Sequence, residues 1–251
     1  VAQKSKKQAN NKNNKQFAAV LIIIGVVGVA ALGYVLTSKS PNAGVTTVDP
    51  TIPVGKAEGY LIGNPDAPLQ VIEFADFECP ACGDFANITE PDVRSRLINT
   101  GMLAVRFYDY PLPMHKNTWP ASNAAACAND QGKFVEMHDR LFAGQNEWNG
   151  EATSNPKKIF KQYVTQLGLD VSKWESCFDS QTHLSTIKGN AAEAGRRNVT
   201  QTPTFVIGDK MVPGSITYDQ FKKYADDAIA AQAKTGVKPA ASPEVKKGAA
   251  K

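Results

Sequence analysis

Apolar positions change their spacing along the chain, and each spacing predicts a different kind of segment. From Phe17 to Leu36 (FAAVLIIIGVVGVAALGYVL) twenty residues run without a charge, the length an α-helix needs to cross a bilayer core of about 30 Å. Lysines crowd the N-terminal side of this run and only Lys39 follows it closely. Residues 1–16 are therefore expected to stay cytoplasmic and the remainder to be exported. A cleaved signal peptide begins on the same plan, but its apolar region is normally about 7–15 residues. The expectation is an uncleaved, single-pass anchor in the cell membrane, with a secreted or periplasmic form after cleavage as the alternative.

After the anchor, residues 37–59 are rich in Pro, Gly, Ser and Thr and read as an extended tether. Order is expected from Tyr60. Leu69–Phe77 alternates and carries β-branched residues, so it reads as a strand after the turn Asn64-Pro-Asp-Ala-Pro68. Pro80 suits the first turn of a helix. That helix is expected to run to about Asn99 with a kink near Pro91, before a second strand over Met102–Tyr110. From about 113 to 198 the spacing turns helical: Phe134, Met137, Leu141 and Phe142 share one face. Pro203–Gly208 reads as a strand, Gly208-Asp209 as a hairpin turn, and Met211-Val212 as the returning strand. Thr217-Tyr-Asp-Gln220 resembles a capping box opening a last helix to about Ala233. Residues 234–251 are low-complexity and read as a disordered tail. This order predicts an α/β domain over 60–233, a mixed sheet flanked by helices and split by a helical insertion.

The chain has 251 residues, 42% of them hydrophobic, enough for one buried domain with appendages. The net charge of +4 comes largely from the ends, since the first sixteen residues hold five lysines and no acid. The nearly neutral middle carries no nucleic-acid footprint.

Candidate chemistry centres on Cys79-Pro-Ala-Cys82, two thiols one helical turn apart after an apolar strand. A zinc site needs four ligands, yet Cys127 and Cys177 stand fifty residues apart and His115, His138 and His183 are scattered, so no metal is expected. A disulfide across four residues would constrain the unfolded chain little. An electron-shuttling dithiol fits better. A cysteine opening a helix has its thiolate stabilised by free N–H groups and the macrodipole, and in such motifs the pKa can fall to roughly 3.5–7.5. Cys79 is expected to be the exposed nucleophile and Cys82 the buried resolving thiol. Such exchange calls for no cofactor.

EFADFECPAC, together with Thr202-Pro203-Thr-Phe and the helical insertion containing HKNTWPASNAAACANDQGKFVEMHDRLF, resembles the exported thioredoxin-fold thiol-disulfide oxidoreductases of the DsbA type. The likeness is greatest to membrane-anchored forms found in bacteria such as Gram-positives, and it covers about 60–233. The resemblance implies a thioredoxin fold. It implies that Pro203 is cis and faces the dithiol, with the backbone of Thr202 open to strand-like pairing with a client peptide. It implies that Glu73 is the fold's buried acid, able to take the proton of Cys82. The family's strongest oxidants carry a histidine between the thiols, where this chain has Ala81. Clients would be unfolded or reduced exported polypeptides, and a quinone-linked membrane partner would reoxidise the enzyme.

Cys127 and Cys177 both fall in the insertion. In an oxidising compartment an even cysteine count favours a structural disulfide between them, with two free buried thiols as the alternative. Asp76 and Glu78 flank the dithiol and read as solvated charges, with tuning of the thiols as the alternative. His115 reads as a surface residue and Trp119 as core, with a place at the border of the active-site groove as the alternative, and Trp148 and Trp174 read as insertion core. Asn87-Ile-Thr89 and Asn198-Val-Thr200 match the glycosylation triplet, which matters only in a eukaryotic secretory route. The dithiol would equally serve a reductase or isomerase, and a groove with structural cysteines would serve a peptide-binding chaperone.

Overall fold

The computed structural model describes residues 54–235. The predicted membrane span at 17–36, the basic residues 1–16, most of the tether and most of the tail lie outside the described residues. Among the described residues no helix is long and apolar enough to cross a membrane.

Strands β1 (Tyr60–Ile62), β2 (Leu69–Ala75), β3 (Leu103–Asp109), β4 (Thr204–Ile207) and β5 (Lys210–Pro213) form a five-stranded sheet in the order β1-β3-β2-β4-β5. β2 runs parallel to β3, and the other pairs are antiparallel. The apolar residues of β2 and β3 thus sit at the centre of the sheet: Leu69, Val71, Phe74, Leu103 and Phe107 are buried. Short β1 lay outside the predicted strands. Residues just before it are held against the insertion, where Gly55 N–H donates to the Ser185 carbonyl (2.8 Å) and Glu58 N–H to Asn190 Oδ1 (3.0 Å).

Helix α1 (80–98) follows β2. It is α-helical over Pro80–Asp84, widens to π geometry over Phe85–Thr89, returns to α over Glu90–Val93 and widens again over Arg94–Ile98. Pro91 cannot donate to the ladder, and the irregularity expected there is realised as wide turns on either side. One face of α1 places Phe85 against Phe205 and Phe221, with ring centroids 4.6 and 6.1 Å away.

Between β3 and β4 lie α2 (Thr118–Asn129), α3 (Phe134–Ala143), α4 (Gln145–Trp148), α5 (Lys157–Gln166), α6 (Val171–Asp179) and α7 (Leu184–Arg196). α2 is buried on nearly every side, and its alanines at 121, 124, 125, 126 and 128 let neighbouring helices approach it closely. Trp148 and Trp174 are fully buried. Each indole N–H finds a carbonyl, Leu141 at 2.8 Å and Ala124 at 3.1 Å, so burial leaves no donor stranded. A disulfide joins Cys127 on α2 to Cys177 on α6, as the even cysteine count had favoured. The last helix, α8 (Tyr218–Thr235), opens on the expected capping box. Gln220 N–H donates to Thr217 Oγ1, and Gln220 Oε1 accepts from Thr217 N–H.

The bond between Cys127 and Cys177 closes a 50-residue separation, worth about 4 kcal/mol in the loop-entropy account. Cys127→Ala/Cys177→Ala is expected to lower the urea-unfolding free energy by roughly 3–4 kcal/mol. A loss below about 1 kcal/mol would mean that helix packing alone holds the insertion.

Candidate active site

Cys79 caps the N-terminus of α1 with extended backbone angles (φ −72°, ψ 123°), and Pro80 occupies the first helical position. The Cys79 N–H donates to the Asp76 carbonyl at 3.0 Å and its carbonyl accepts from Gly83 N–H at 3.1 Å, which closes the first turn beneath the thiol. Opposite stands the cis peptide bond between Thr202 and Pro203. Cys79 Sγ lies 3.5 Å from the Thr202 carbonyl oxygen. The expected exposure of Cys79 is corrected here: only 7% of its surface is open, because the loop carrying Thr202 closes over the sulfur. Cys82 is fully buried, as expected, and both thiols are free.

Different surroundings split the two thiols. A hydrogen bond from Cys82 lowers the Cys79 pKa from 9.0 to about 6, against the opposing effect of burial. The Thr202 hydroxyl and the free N–H groups of Cys82 and Ala81 at the helix mouth help. Burial pushes the Cys82 thiol well above its usual value, and the charges of Cys79 and Glu73 push the same way. At neutral pH the arrangement is therefore a Cys79 thiolate hydrogen-bonded by a Cys82 thiol.

Glu73 sits on β2 between Phe107 of β3 and Phe205 of β4. It is buried, and its Oε2 has no hydrogen-bond partner. Burial raises its pKa well above the carboxylate range; the charge of Glu90 adds to this and that of Arg94 opposes it. Arg94 reaches Glu90 Oε1 (2.9 Å from Nε) and both oxygens of Asp139 (2.8 and 2.7 Å).

The expectation that Asp76 and Glu78 are solvated charges is overturned. Asp76 is 1% exposed and accepts from Glu78 N–H (2.8 Å), Leu112 N–H (2.8 Å), His115 Nδ1 (2.7 Å) and the Thr118 hydroxyl. Glu78 accepts from Asn117 N–H and Gly150 N–H, both at 2.6 Å. Gln145 Nε2 donates to the carbonyls of Phe77 (2.7 Å) and Cys79 (2.9 Å), and packs so tightly on Gly83 that a Cβ there would collide with its amide. The insertion thus grips the dithiol loop at several points. His115 is likewise no free surface residue: its hydrogen bond to Asp76 raises its pKa, and the nearby charges of Cys79 and Glu78 add to the effect. Trp119 is only partly buried. Asn87 Nδ2 donates to the Gly83 carbonyl at 2.8 Å, so that triplet asparagine serves the helix.

A family model described as thioredoxin matches residues 56–227. The chain is 32% identical over 166 residues to the Na(+)/H(+) antiporter NhaA 3 of Salinispora tropica, covering 65% of this chain and 24% of that one. It therefore spans about a quarter of the length of that relative. Disulfide bond formation protein D of Bacillus subtilis is 26% identical over 170 residues, covering 65% of this chain and 73% of that one. Among solved structures, alpha-DsbA1 of Wolbachia pipientis aligns with a TM-score of 0.64 at 19% identity, covering 73% of this chain and 97% of that one. Oxidised BdbD of Bacillus subtilis aligns with a TM-score of 0.62 at 20% identity, covering 71% and 99%. At these identities the structural likeness establishes the fold.

Alkylation of the reduced protein by iodoacetamide is expected to follow a titration of Cys79 with a midpoint of about 6. A midpoint near that of a free thiol would contradict the arrangement around its sulfur. Asp76→Asn leaves buried donors without a matched acceptor and should cost roughly 3 kcal/mol of stability. In the intact protein His115 should titrate above its usual value by NMR. Its contribution to stability is full below pH about 6.5 and fades as pH rises through the raised pKa. In Asp76→Asn the His115 pKa should fall back towards the unperturbed value, and no change would show that the ion pair is not its cause.

Proposed function

The chain belongs to the thioredoxin family, and on that premise we propose that it is a DsbA-type thiol-disulfide oxidoreductase that introduces disulfides into exported polypeptides. The observation that carries the reading is the opposite displacement of the two thiol pKa values beside the cis Thr202–Pro203 bond.

In the oxidised enzyme a client thiolate attacks Cys79 Sγ. The Cys79–Cys82 bond breaks, its electron pair goes to Cys82, and a mixed disulfide forms between client and Cys79. Cys82 leaves as a poorly solvated thiolate and takes a proton from Glu73, where burial favours the protonated form. A second client thiolate then attacks the client's own sulfur and expels Cys79. A thiolate of low pKa is a good leaving group, so this step favours release of the oxidised client. Two electrons pass in all from the client dithiol to the 79–82 pair; the client's thiol protons go to solvent, one returns from there to Glu73, and Cys79 is released as a thiolate.

Ala81 supplies no charge between the thiols. His115, fixed by Asp76 on the loop that enters the insertion, is an ionisable neighbour outside the motif, and the charge of Cys79 helps to raise its pKa. On the same loop Met114 is 69% exposed and offers an apolar contact to an unfolded client. Clients would pair with the backbone at Thr202. The uncharged run at 17–36 would hold the domain at the outer face of the membrane, and a quinone-linked membrane partner would restore the disulfide. The likeness to disulfide bond formation protein D of Bacillus subtilis supports this direction.

The reduction potential of the 79–82 pair tests the proposal. A value nearer the about −120 mV of a strong oxidant than the roughly −270 mV of thioredoxin is expected; a value at the lower end would make the protein a reductase. Cys79→Ser should abolish oxidation of a reduced client, whereas a peptide-binding chaperone would keep its activity. Glu73→Gln should slow dithiol–disulfide exchange by about 10²-fold and flatten its pH profile. A slowed rate with the profile intact would assign Glu73 a structural role.

A further inference from the structure

The fold brings together side chains that the sequence holds up to 56 positions apart. Cys127 is buried on α2, Cys177 is partly exposed on α6, and His183 stands at the turn before α7. One donor atom from each lies within 4.8 Å of the others. Asp130, at the C-terminal end of α2, puts Oδ2 at 2.7 Å from His183 Nε2 and at 3.6 Å from Cys177 Sγ. Two sulfurs and an imidazole nitrogen are three donors of the kind tetrahedral zinc takes, and Asp130, beside two of them, is a fourth that would have to turn in towards Cys127. Among the described residues this is the one such cluster of three or more ligands; the Cys79–Cys82 pair has no third donor beside it.

From this geometry we infer that the corner is a redox-gated zinc site, closed to metal while Cys127 and Cys177 are bonded and able to bind Zn²⁺ once they are reduced. A dithiol reductant supplies two electrons, breaks the S–S bond and is itself oxidised to a disulfide, while the two sulfurs end as thiols. Zn²⁺ then displaces both thiol protons to solvent, with no further transfer of electrons. Zinc–sulfur bonds of about 2.3 Å in a tetrahedral site place the two sulfurs roughly 3.8 Å apart. A small separation of α2 and α6 provides that room. His183 is the third ligand, and Asp130, next to His183 and Cys177, turns in towards Cys127 to complete the set. The exposed side of Asp130, with 46% of its side chain open, gives the ion a way in. The insertion would thus exchange one cross-link between α2 and α6 for another as its redox state changes.

The test uses the full chain carrying Cys79→Ser and Cys82→Ser, which removes the other dithiol, reduced with a phosphine. Titration with Zn²⁺ alone is expected to show one equivalent bound, a raised melting temperature, and protection of both remaining thiols from alkylation. Co²⁺ in its place should give thiolate-to-metal charge transfer and the strong visible bands of a tetrahedral ion. The oxidised chain should bind none. His183→Ala should weaken zinc binding by at least tenfold. Cys177→Ser, at a partly exposed position, gives a second variant with the same expectation should the first misfold. Failure of the reduced chain to take up metal would overturn the inference. So would uptake that the oxidised chain, His183→Ala or Cys177→Ser matches. None of these readouts depends on whether the 79–82 pair exchanges disulfides.

Discussion

A single buried carboxylate holds the site together. Asp76 lies in the turn between the central strand and the dithiol helix, and both of its oxygens are engaged by donors from two separate segments. Buried charge is costly unless fully hydrogen-bonded, so the turn and residues 112–118 must close on Asp76 together. Once they do, the Asp76 carbonyl receives the Cys79 N–H and fixes where α1 begins. The start of α1 sets where the unpaired N–H groups converge, and these help to keep the Cys79 thiolate. Glu78 and Gln145 extend the same logic by tying the loop to residues 117 and 150 and to α4.

The two thiols then differ for reasons of depth. Both sit on one helix, one turn apart, and the same dipole acts on each. Cys79 meets the N–H groups at the helix mouth and retains a small opening, whereas Cys82 is enclosed by core side chains and near a buried acid. Burial penalises the charged form of any acid, so the negative charge of the reduced pair settles on the outer sulfur. A more open site would weaken this asymmetry, and a fully sealed one would leave the sulfur out of reach. The loop carrying Thr202 and Pro203 sets that compromise, since its carbonyl covers the sulfur at 3.5 Å.

Much of the frame could be read in the chain because its signals are local. Alternation marked β2, the run after Gly101 marked β3, Gly208-Asp209 marked the hairpin, Thr217 and Gln220 marked the cap of α8, and Cys79-Pro80 marked the opening of α1. What stayed hidden depends on partners distant in sequence. Nothing beside Asp76 announces that Leu112, His115 and Thr118 will reach it, 36 to 42 residues away. An acid two residues from another acid therefore looks solvated until the insertion folds over it. The wide turns of α1 escaped as well, since Pro91 signals an irregularity but not how the ladder accommodates it. Cys127, Cys177 and His183 looked scattered because helices re-sort neighbours through packing, and no periodicity in the chain records which helix ends meet.

The polar atoms left without partners in the core bear on why such a site persists. Glu73 Oε2, Glu90 Oε2 and His138 Nε2 are all buried without a hydrogen bond, and His138 Nε2 stands 3.7 Å from Glu90 Oε2, within ion-pair distance only. An unsatisfied buried group typically costs about 1–3 kcal/mol, a burden that well-packed apolar residues of similar volume would remove. The surrounding core could accept such a replacement, since Phe77, Phe107 and Phe142 already pack edge or face to one another around His138. Arg94 relieves only part of the charge, and Asp139 carries the chain of ion pairs from Glu90 out to solvent. A cation paired directly with Glu73 would hold it ionised. The incomplete pairing leaves its pKa raised, and that ties the stability lost in the core to the proton this buried acid retains.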